Sequence, residues 1–414
     1  MRSEHVRRAN LSAVLRHVHA RPRTRSQLSE ATGLTRTAIA SLVATLVEAG
    51  LVDEHDTAVR NGPGRPSPVV SCATSNVSLG IEVTADSIAV AVVALGGAIL
   101  RSARAPRPDG GRGPEDVVQA VHELATETLG AAASPSPGVR PPEVIGIGVA
   151  VAGVVDRVDG RVVVAPNIGW TDVPFRSLVV RAFGGAAPVA VANDADLGML
   201  AESERGAAVG RRHVVYIAGE VGVGGGVLVD GVPLRGVAGF AGELGHLPVN
   251  PDGARCRCGA FGCWETEVGE AAILRRVGGR RARVGRRAVE SLLARAADGD
   301  EAVLDALHET GRWLGVGVAG LVNLFNPELV VLGGIFAEAF EQLQPTVVSE
   351  LERRALAATR SRVSVVPAAL GIDAPLIGAA ELGFGAVLAD PVGFGRSAIG
   401  VDRPSARARV LGTA

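Results

Sequence analysis

Apolar residues in the first fifty positions recur at helical spacing and predict three helices. Leu11, Val14, Leu15 and Val18 stand at i, i+3, i+4 and i+7, one face of a first helix. Thr24-Arg-Ser-Gln27 is a capping box, in which hydroxyl and amide side chains satisfy each other's backbone donors. It predicts the start of a second helix with Leu28 and Ala31 facing inward. Gly33, able to take the left-handed conformation, ends that helix and turns the chain into a third. Thr35 caps the third helix, whose apolar positions are Ile39, Leu42, Val43, Leu46 and Val47, leaving Arg36, Thr37, Ala40, Ser41 and Ala44 on a small, polar outer face. Helix, glycine turn and helix with such a face predict a helix-turn-helix, the shape that fits a major groove; an ordinary three-helix bundle is the alternative.

Beyond Gly50 the chain runs through acids into Arg60-Asn-Gly-Pro-Gly-Arg65-Pro66, which reads as a β-wing with a basic tip. Residues 1–72 are therefore expected to form a winged helix-turn-helix whose partner is double-stranded DNA. Arg36, Thr37 and Ser41 are the candidates for base contact. Arg65, held by Pro66, would enter the minor groove, where negative potential is greatest.

From about Ser78 the pattern changes to alternating strands and helices. Leu79–Leu95 reads as a β-hairpin, Pro114–Leu129 as a helix and Val144–Ala150 as a buried strand. Val189–Val191 is a short strand feeding a helix that starts at Asn193-Asp194. Val214–Ala218 and Gly226–Val229 read as strands around a glycine loop, and Leu329–Leu332 as a strand ending in Gly333-Gly334. Strands alternating with helices and broken by glycine turns predict an α/β fold in two lobes. Ala131–Pro142 reads as a surface loop, and residues 389–414, without periodicity, as a flexible tail.

Composition narrows the class. A chain of 414 residues with 47% hydrophobic content suffices for two or three packed units at roughly 150 residues per domain. The long apolar runs are broken by acids, and the N-terminal arginines have no apolar core behind them, so neither a membrane span nor a secretory signal is expected. With its cysteines clustered, the chain is placed in a reducing cytoplasm. Net charge is −1, but residues 1–70 hold ten arginines against six acids. Lysine is absent throughout, so compositional bias accounts for part of the arginine content and the local excess carries little weight alone.

The chemistry concentrates in one segment. Cys256-Arg-Cys258-Gly-Ala-Phe-Gly-Cys263-Trp-Glu265 holds three of the four cysteines, ten residues after His246. One imidazole and three thiolates suit a closed tetrahedral zinc site, with three unrelated thiols as the alternative. Beside it stand Glu243 and Glu265. A hexose presents vicinal hydroxyls, each donor and acceptor, and needs convergent carboxylates and amides; Asn193, Asp194, Glu243, His246 and Glu265 supply that set. Taken alone, Asn193-Asp194 reads first as a helix N-cap, and the other motifs turn the reading to sugar contact.

Five motifs in order, Pro166-Asn167-Ile-Gly-Trp170, Asn193-Asp194-Ala-Asp, Gly222-Val-Gly-Gly-Gly226, Glu243-Leu-Gly-His246 and the Cys256–Glu265 run, resemble the ROK family of repressors and sugar kinases. The resemblance covers nearly the whole chain. It implies an actin-like, ribonuclease H-like sugar-kinase fold over 78–388, with one lobe of 78–192 plus a C-terminal helix and the other of 193–370. By resemblance Gly153 and Asn167 line the sugar pocket, and Asp194 matches the base that takes the proton from the attacking hydroxyl.

The two turns that hold ATP phosphates in the family's kinases are altered here. Asp-x-Gly-Gly-Thr is replaced by Glu82-Val-Thr84-Ala85-Asp86, and Gly-Thr-Gly by Glu220-Val221-Gly222. Glycines and hydroxyls that would meet the anion give way to carboxylates, which repel it. The resemblance therefore implies a sugar-responsive repressor without catalysis, binding DNA as a homodimer or homotetramer, with an active hexose kinase as the rival reading. Helical residues after Arg275 and around Val316–Phe325 are candidates for the subunit interface.

Overall fold

The computed structural model describes residues 2–55, 68–108, 113–133, 141–237, 239–278 and 285–393. The wing tip with Arg65, the middle of the 131–142 loop, and the tail from residue 394 lie outside the described residues.

The head comprises α1 (Arg2–Ala20), β1 (Arg23–Thr24), α2 (Arg25–Thr32), α3 (Arg36–Glu48), β2 (Val52–His55) and β3 (Val69–Cys72). Its strands pair in the order β1-β3-β2, the sheet of a winged helix. Thr24 and Gln27 form the capping box, Gly33 takes φ 69°, and the Thr35 side chain accepts the Ala38 amide. Leu28, Ile39, Leu42, Val43 and Leu46 are buried, but Ala31 and Val47 face solvent. The buried stripe is narrower than the periodicity suggests.

Two five-stranded sheets come next along the chain, and they repeat one topology. The first holds β4 (Asn76–Val83), β5 (Ser87–Ala94), β6 (Ile99–Pro106), β7 (Glu143–Val151) and, later, β11 (Val189–Asn193), ordered β11-β7-β4-β5-β6. Helices α4 (Pro114–Ala132) and α5 (Phe175–Ala182) cover it, and β8 (Val154–Asp156), β9 (Arg161–Ala165) and β10 (Trp170–Val173) form a small flanking sheet. After α6 (Asp194–Arg205), the second sheet is built from β12 (Val214–Gly219), β13 (Val223–Val229), β14 (Val232–Pro233), and then β15 (Leu329–Gly334) and β16 (Ser364–Pro367), ordered β14-β13-β12-β15-β16.

In each sheet an antiparallel meander is extended from its first strand by two parallel strands. Strands β4 and β12 are buried along their whole length, as central strands covered on both faces must be.

Between β14 and β16 the helices are α7 (Trp264–Val268), α8 (Glu270–Arg276), α9 (Arg286–Ala297), α10 (Glu301–Phe325), α11 (Ile335–Glu338), α12 (Phe340–Arg354) and α13 (Ala357–Arg360); α14 (Ala374–Gly383) and α15 (Gly385–Ala389) close the described chain. Val318, Ala319, Leu321 and Val322 of α10 are core residues of the second sheet. Most of the stretch the sequence offers as a subunit interface is thus internal, with Leu324 the exposed apolar exception.

Two expectations change. β13 begins at Val223, so Gly224 and Gly225 lie inside the strand with Gly226 and not in the loop before it. They are small because a Cβ at these positions would collide with Ala195, Leu244 and Met199, so α6 and the segment before His246 pack directly on the strand. The head also shares a core with the first sheet: Leu11, Val14 and Leu15 of α1 join Ala89, Ala91 and Val93 of β5 and Ala380 and Phe384 of the α14 region in one cluster.

Helix α14 seats backbone to backbone on the first sheet. A Cβ on Gly148 would meet the Ala379 carbonyl. Gly148→Ala is expected to lower stability by about 1–3 kcal/mol through overpacking, read as a lower denaturant midpoint at unchanged slope.

Candidate functional site

The two sheets face each other across a cleft of about 580 Å³. All seven sugar-site residues expected from the sequence line it: Gly153, Asn167, Asn193, Asp194, Glu243, His246 and Glu265. Asn193 ends β11 and caps α6, its Oδ1 accepting the amides of Ala195 at 2.9 Å and Asp196 at 3.2 Å. Its Nδ2 donates to the Gly153 carbonyl at 2.9 Å. The N-cap reading therefore holds, and the cap orients Asp194 into the cleft, leaving one Asn193 N–H for a ligand. Gly153 is small because a Cβ there would press on Ala165.

Asp194 is strongly perturbed. Burial pushes its carboxyl up to about 7; Glu82 and Glu243 act in the same direction, and the Ala195 amide opposes them. Glu220 is driven well above the usual glutamate range by burial and then by Asp194 and Glu82. Burial also raises Glu82, against the pull of the Arg104 guanidinium 2.8 Å away. At about 7, Asp194 can serve as acceptor or donor toward a sugar hydroxyl.

Both turns between the first two strands of each sheet open onto this cleft. Each spends backbone amides on its own closure. In the first, the Thr84 amide donates to the Ser87 carbonyl at 2.9 Å and the Ser87 amide to Thr84 Oγ1 at 3.1 Å, while Thr84 Oγ1 donates to Asp86 at 3.0 Å. In the second, the Glu220 amide donates to the Gly222 carbonyl at 2.8 Å. Amides spent inside the turn cannot also bind an anion.

The cysteine run closes one wall. His246, Cys256, Cys258 and Cys263 bring their ligand atoms within 4.8 Å of one another, with Cys258 and Cys263 sulfurs at 3.6 Å and Cys256 Sγ at 3.7 Å from His246 Nδ1. Zinc–sulfur bonds of about 2.3 Å in a tetrahedron place ligand atoms about 3.8 Å apart, so the donors fit that ion. Cys256 Sγ donates to Glu265 Oε1 at 2.9 Å, and His246 Nε2 points to Glu243 at 3.9 Å. The two ring nitrogens of His246 thereby face different sides, Nδ1 the thiols and Nε2 Glu243, which can orient the ring.

Sequence reasoning missed three members of the site. Arg257, between two of the cysteines, turns into the cleft and donates to Asn167 Oδ1; its place inside the motif was the available signal. Arg104 and Glu270 also line the cleft. Burial pushes Glu270 up to about 7, and it accepts the Gly285 amide at 2.6 Å. In the head, Arg36, Thr37 and Ser41 are exposed on one face of α3, away from the cleft. No helix among the described residues is long and apolar enough to cross a membrane.

Two duplicated sheets around a cleft rich in carboxylates and amides, with a winged helix attached, define a sugar-kinase-like domain carrying a DNA-binding head. The chain belongs to the ROK family, whose profile matches residues 78–384, and a MarR family profile matches residues 12–59. It is 29% identical over 382 residues to the xylose repressor of Bacillus subtilis strain 168, covering 91% of this chain and 95% of that one. It is 32% identical to a glucokinase of Streptomyces coelicolor, covering 74% of this chain and 97% of the kinase. Among solved structures, a ROK family transcriptional regulator homologous to the Escherichia coli Mlc protein superposes with a TM-score of 0.74 at 26% identity, covering 91% of this chain and 95% of that one. The two regulators align across the head as well; the kinase is accounted for by three quarters of this chain.

Proposed function

We propose that the chain is a sugar-responsive, DNA-binding transcriptional regulator, a repressor, in which the kinase cleft is kept for recognition and phosphoryl transfer has been given up. The observation that carries this reading is the state of the two phosphate turns. Both are closed by their own hydrogen bonds and edged with carboxylates, while the sugar-facing set of Asn167, Asp194, Glu243, His246 and Glu265 converges intact. The similarity to a named repressor along nine tenths of the chain supports it.

Asp194, Glu243 and Glu265 accept sugar hydroxyls in this reading, and Asn167, positioned by Arg257, donates. His246, Cys256, Cys258 and Cys263 hold zinc, which supplies rigidity and a fixed imidazole direction. Closure of the cleft resets the heads of a homodimer or homotetramer on double-stranded DNA, and the ligand shifts that equilibrium only by its differential affinity for the two states.

A coupled assay with D-glucose, D-xylose and D-mannose, each with Mg-ATP, separates this reading from an active hexose kinase. The expected result is no turnover above background; turnover abolished by Asp194→Asn would overturn the proposal. For the head, Arg36→Ala is expected to cost about 1–3 kcal/mol of discrimination at one base position, seen by comparing matched and substituted duplexes.

A further inference from the structure

Helices α6 and α14 each have one end on the cleft and the other on the head. The first turn of α6 holds Asp194, and Pro375 at the start of α14 also lines the cleft. They cross in contact, since a Cβ on Gly378 would collide with the Leu197 carbonyl. At 1.5 Å per residue, α6 spans about 18 Å. Its last residue, Arg205, and Glu381 of α14 meet at His19, near the end of α1.

His19 is 3% exposed and linked on every side. Its Nδ1 accepts the Gly96 amide at 3.0 Å, which leaves the ring proton on Nε2, 2.7 Å from Glu381 Oε2. Arg205 Nε donates to Glu381 Oε1 at 2.8 Å, Arg205 Nη1 to the His19 carbonyl at 3.0 Å, and Nη2 lies 2.8 Å from His19 Nε2. Phe384 packs edge-on against the ring at 5.3 Å. Burial would raise the Glu381 carboxyl, yet the His19 and Arg205 contacts outweigh it and hold it below the usual glutamate range.

We propose that His19, Arg205 and Glu381 form a latch through which occupancy of the cleft resets the DNA-binding head. This rests on the regulator reading above. Arg205 travels with α6, whose first turn contacts the ligand. Glu381 travels with α14, which is seated on β4 and β7 by backbone contacts at Gly80, Gly146 and Gly148. A shift of about 1 Å between the two helices stretches bonds of 2.7–3.0 Å beyond their working range, and a buried network of charges does not stretch gradually. The end of α1 must then follow one helix or the other, and the head moves with it.

The test uses the full chain, a duplex of the DNA upstream of its own coding sequence, and whichever of D-xylose, D-glucose or D-mannose raises the melting temperature. The ratio of DNA dissociation constants with and without saturating sugar is the coupling factor, expected to be about 5–150 in the parent protein. Arg205→Ala is expected to bind the sugar within about threefold of the parent while its coupling factor falls to within about twofold of unity. An unchanged coupling factor in that variant overturns the latch. A ratio of one in the parent itself overturns the regulator reading, a failure visible before any variant is made. Should Arg205→Ala not fold, hydrogen exchange in the parent decides: saturating sugar should alter the exchange rate of the Gly96 amide at least about tenfold, and an unaltered rate contradicts the proposal.

Discussion

Cys263→Ser is expected to remove about one zinc ion per chain and to lower the melting temperature by an amount on the order of 10 °C. Cys263 is 1% exposed, and the serine that replaces it is close in size, so the loss comes from the missing thiolate and not from a cavity. A structural zinc site folds its own loop, and binding free energy lost there is folding free energy lost. At about 2–4 °C per kcal/mol for a unit of this size, a loss of several kcal/mol gives the stated shift. Sugar affinity should fall with it, because His246 and Glu265 are aimed into the cleft by the same loop. Cys72→Ser is the control. Cys72 stands in the head, half-buried, with its thiol pushed up to about 12 by burial, and its replacement should leave the metal content unchanged. Elemental analysis of the three proteins reads the result, and a parent protein without zinc would rule the site out.

Asp194→Asn is expected to weaken sugar binding by about 10- to 100-fold at pH 8, the worth of a hydrogen bond to a charged acceptor in a desolvated site. The parent should show affinity that rises between about pH 6 and pH 8, because a hydroxyl donor prefers the ionised carboxylate and Asp194 titrates at about 7. The variant's profile should be flatter. Glu82 from β4, Glu220 from the β12–β13 turn and Glu243 face the same space and keep the ionisation suppressed.

The same shift has a consequence for stability. A carboxyl whose folded value is raised stabilises the unliganded chain fully below its unfolded value of about 4, and that contribution is lost as pH rises through about 7. The melting-temperature increment given by a bound sugar should therefore grow with pH. Calorimetric titration at three pH values checks both statements; a pH-independent affinity in the parent would show that Asp194 does not accept from the ligand.

The features legible in the sequence are local ones. The capping box at Thr24, the turn at Gly33 and the cysteine run are each written within ten residues, and each forms as expected because short-range hydrogen bonds and ligand spacing decide it. The carboxylates and amides of the sugar site are legible as motifs, and so is the Asn193 cap, though not the bond from Asn193 Nδ2 to the Gly153 carbonyl 40 residues earlier. Features that depend on sheet order are hidden. Glu82 meets Arg104 only because β4, β5 and β6 lie side by side, and the glycines of β13 answer to Ala195, Leu244 and Met199, distant in the chain. The fusion of the head to the first sheet through α1, β5 and α14 joins residues more than 350 positions apart, as His19 and Glu381 are. No periodicity announces such a contact.

Central to the proposed function is a cleft that recognises a monosaccharide and reports it to DNA. Fluorescence anisotropy of the chain's own upstream duplex, titrated with protein in the absence and presence of a saturating monosaccharide that stabilises the fold, tests this most directly. The midpoint is predicted to move by at least about fivefold. Superimposable curves, with the sugar shown to be bound, would contradict it.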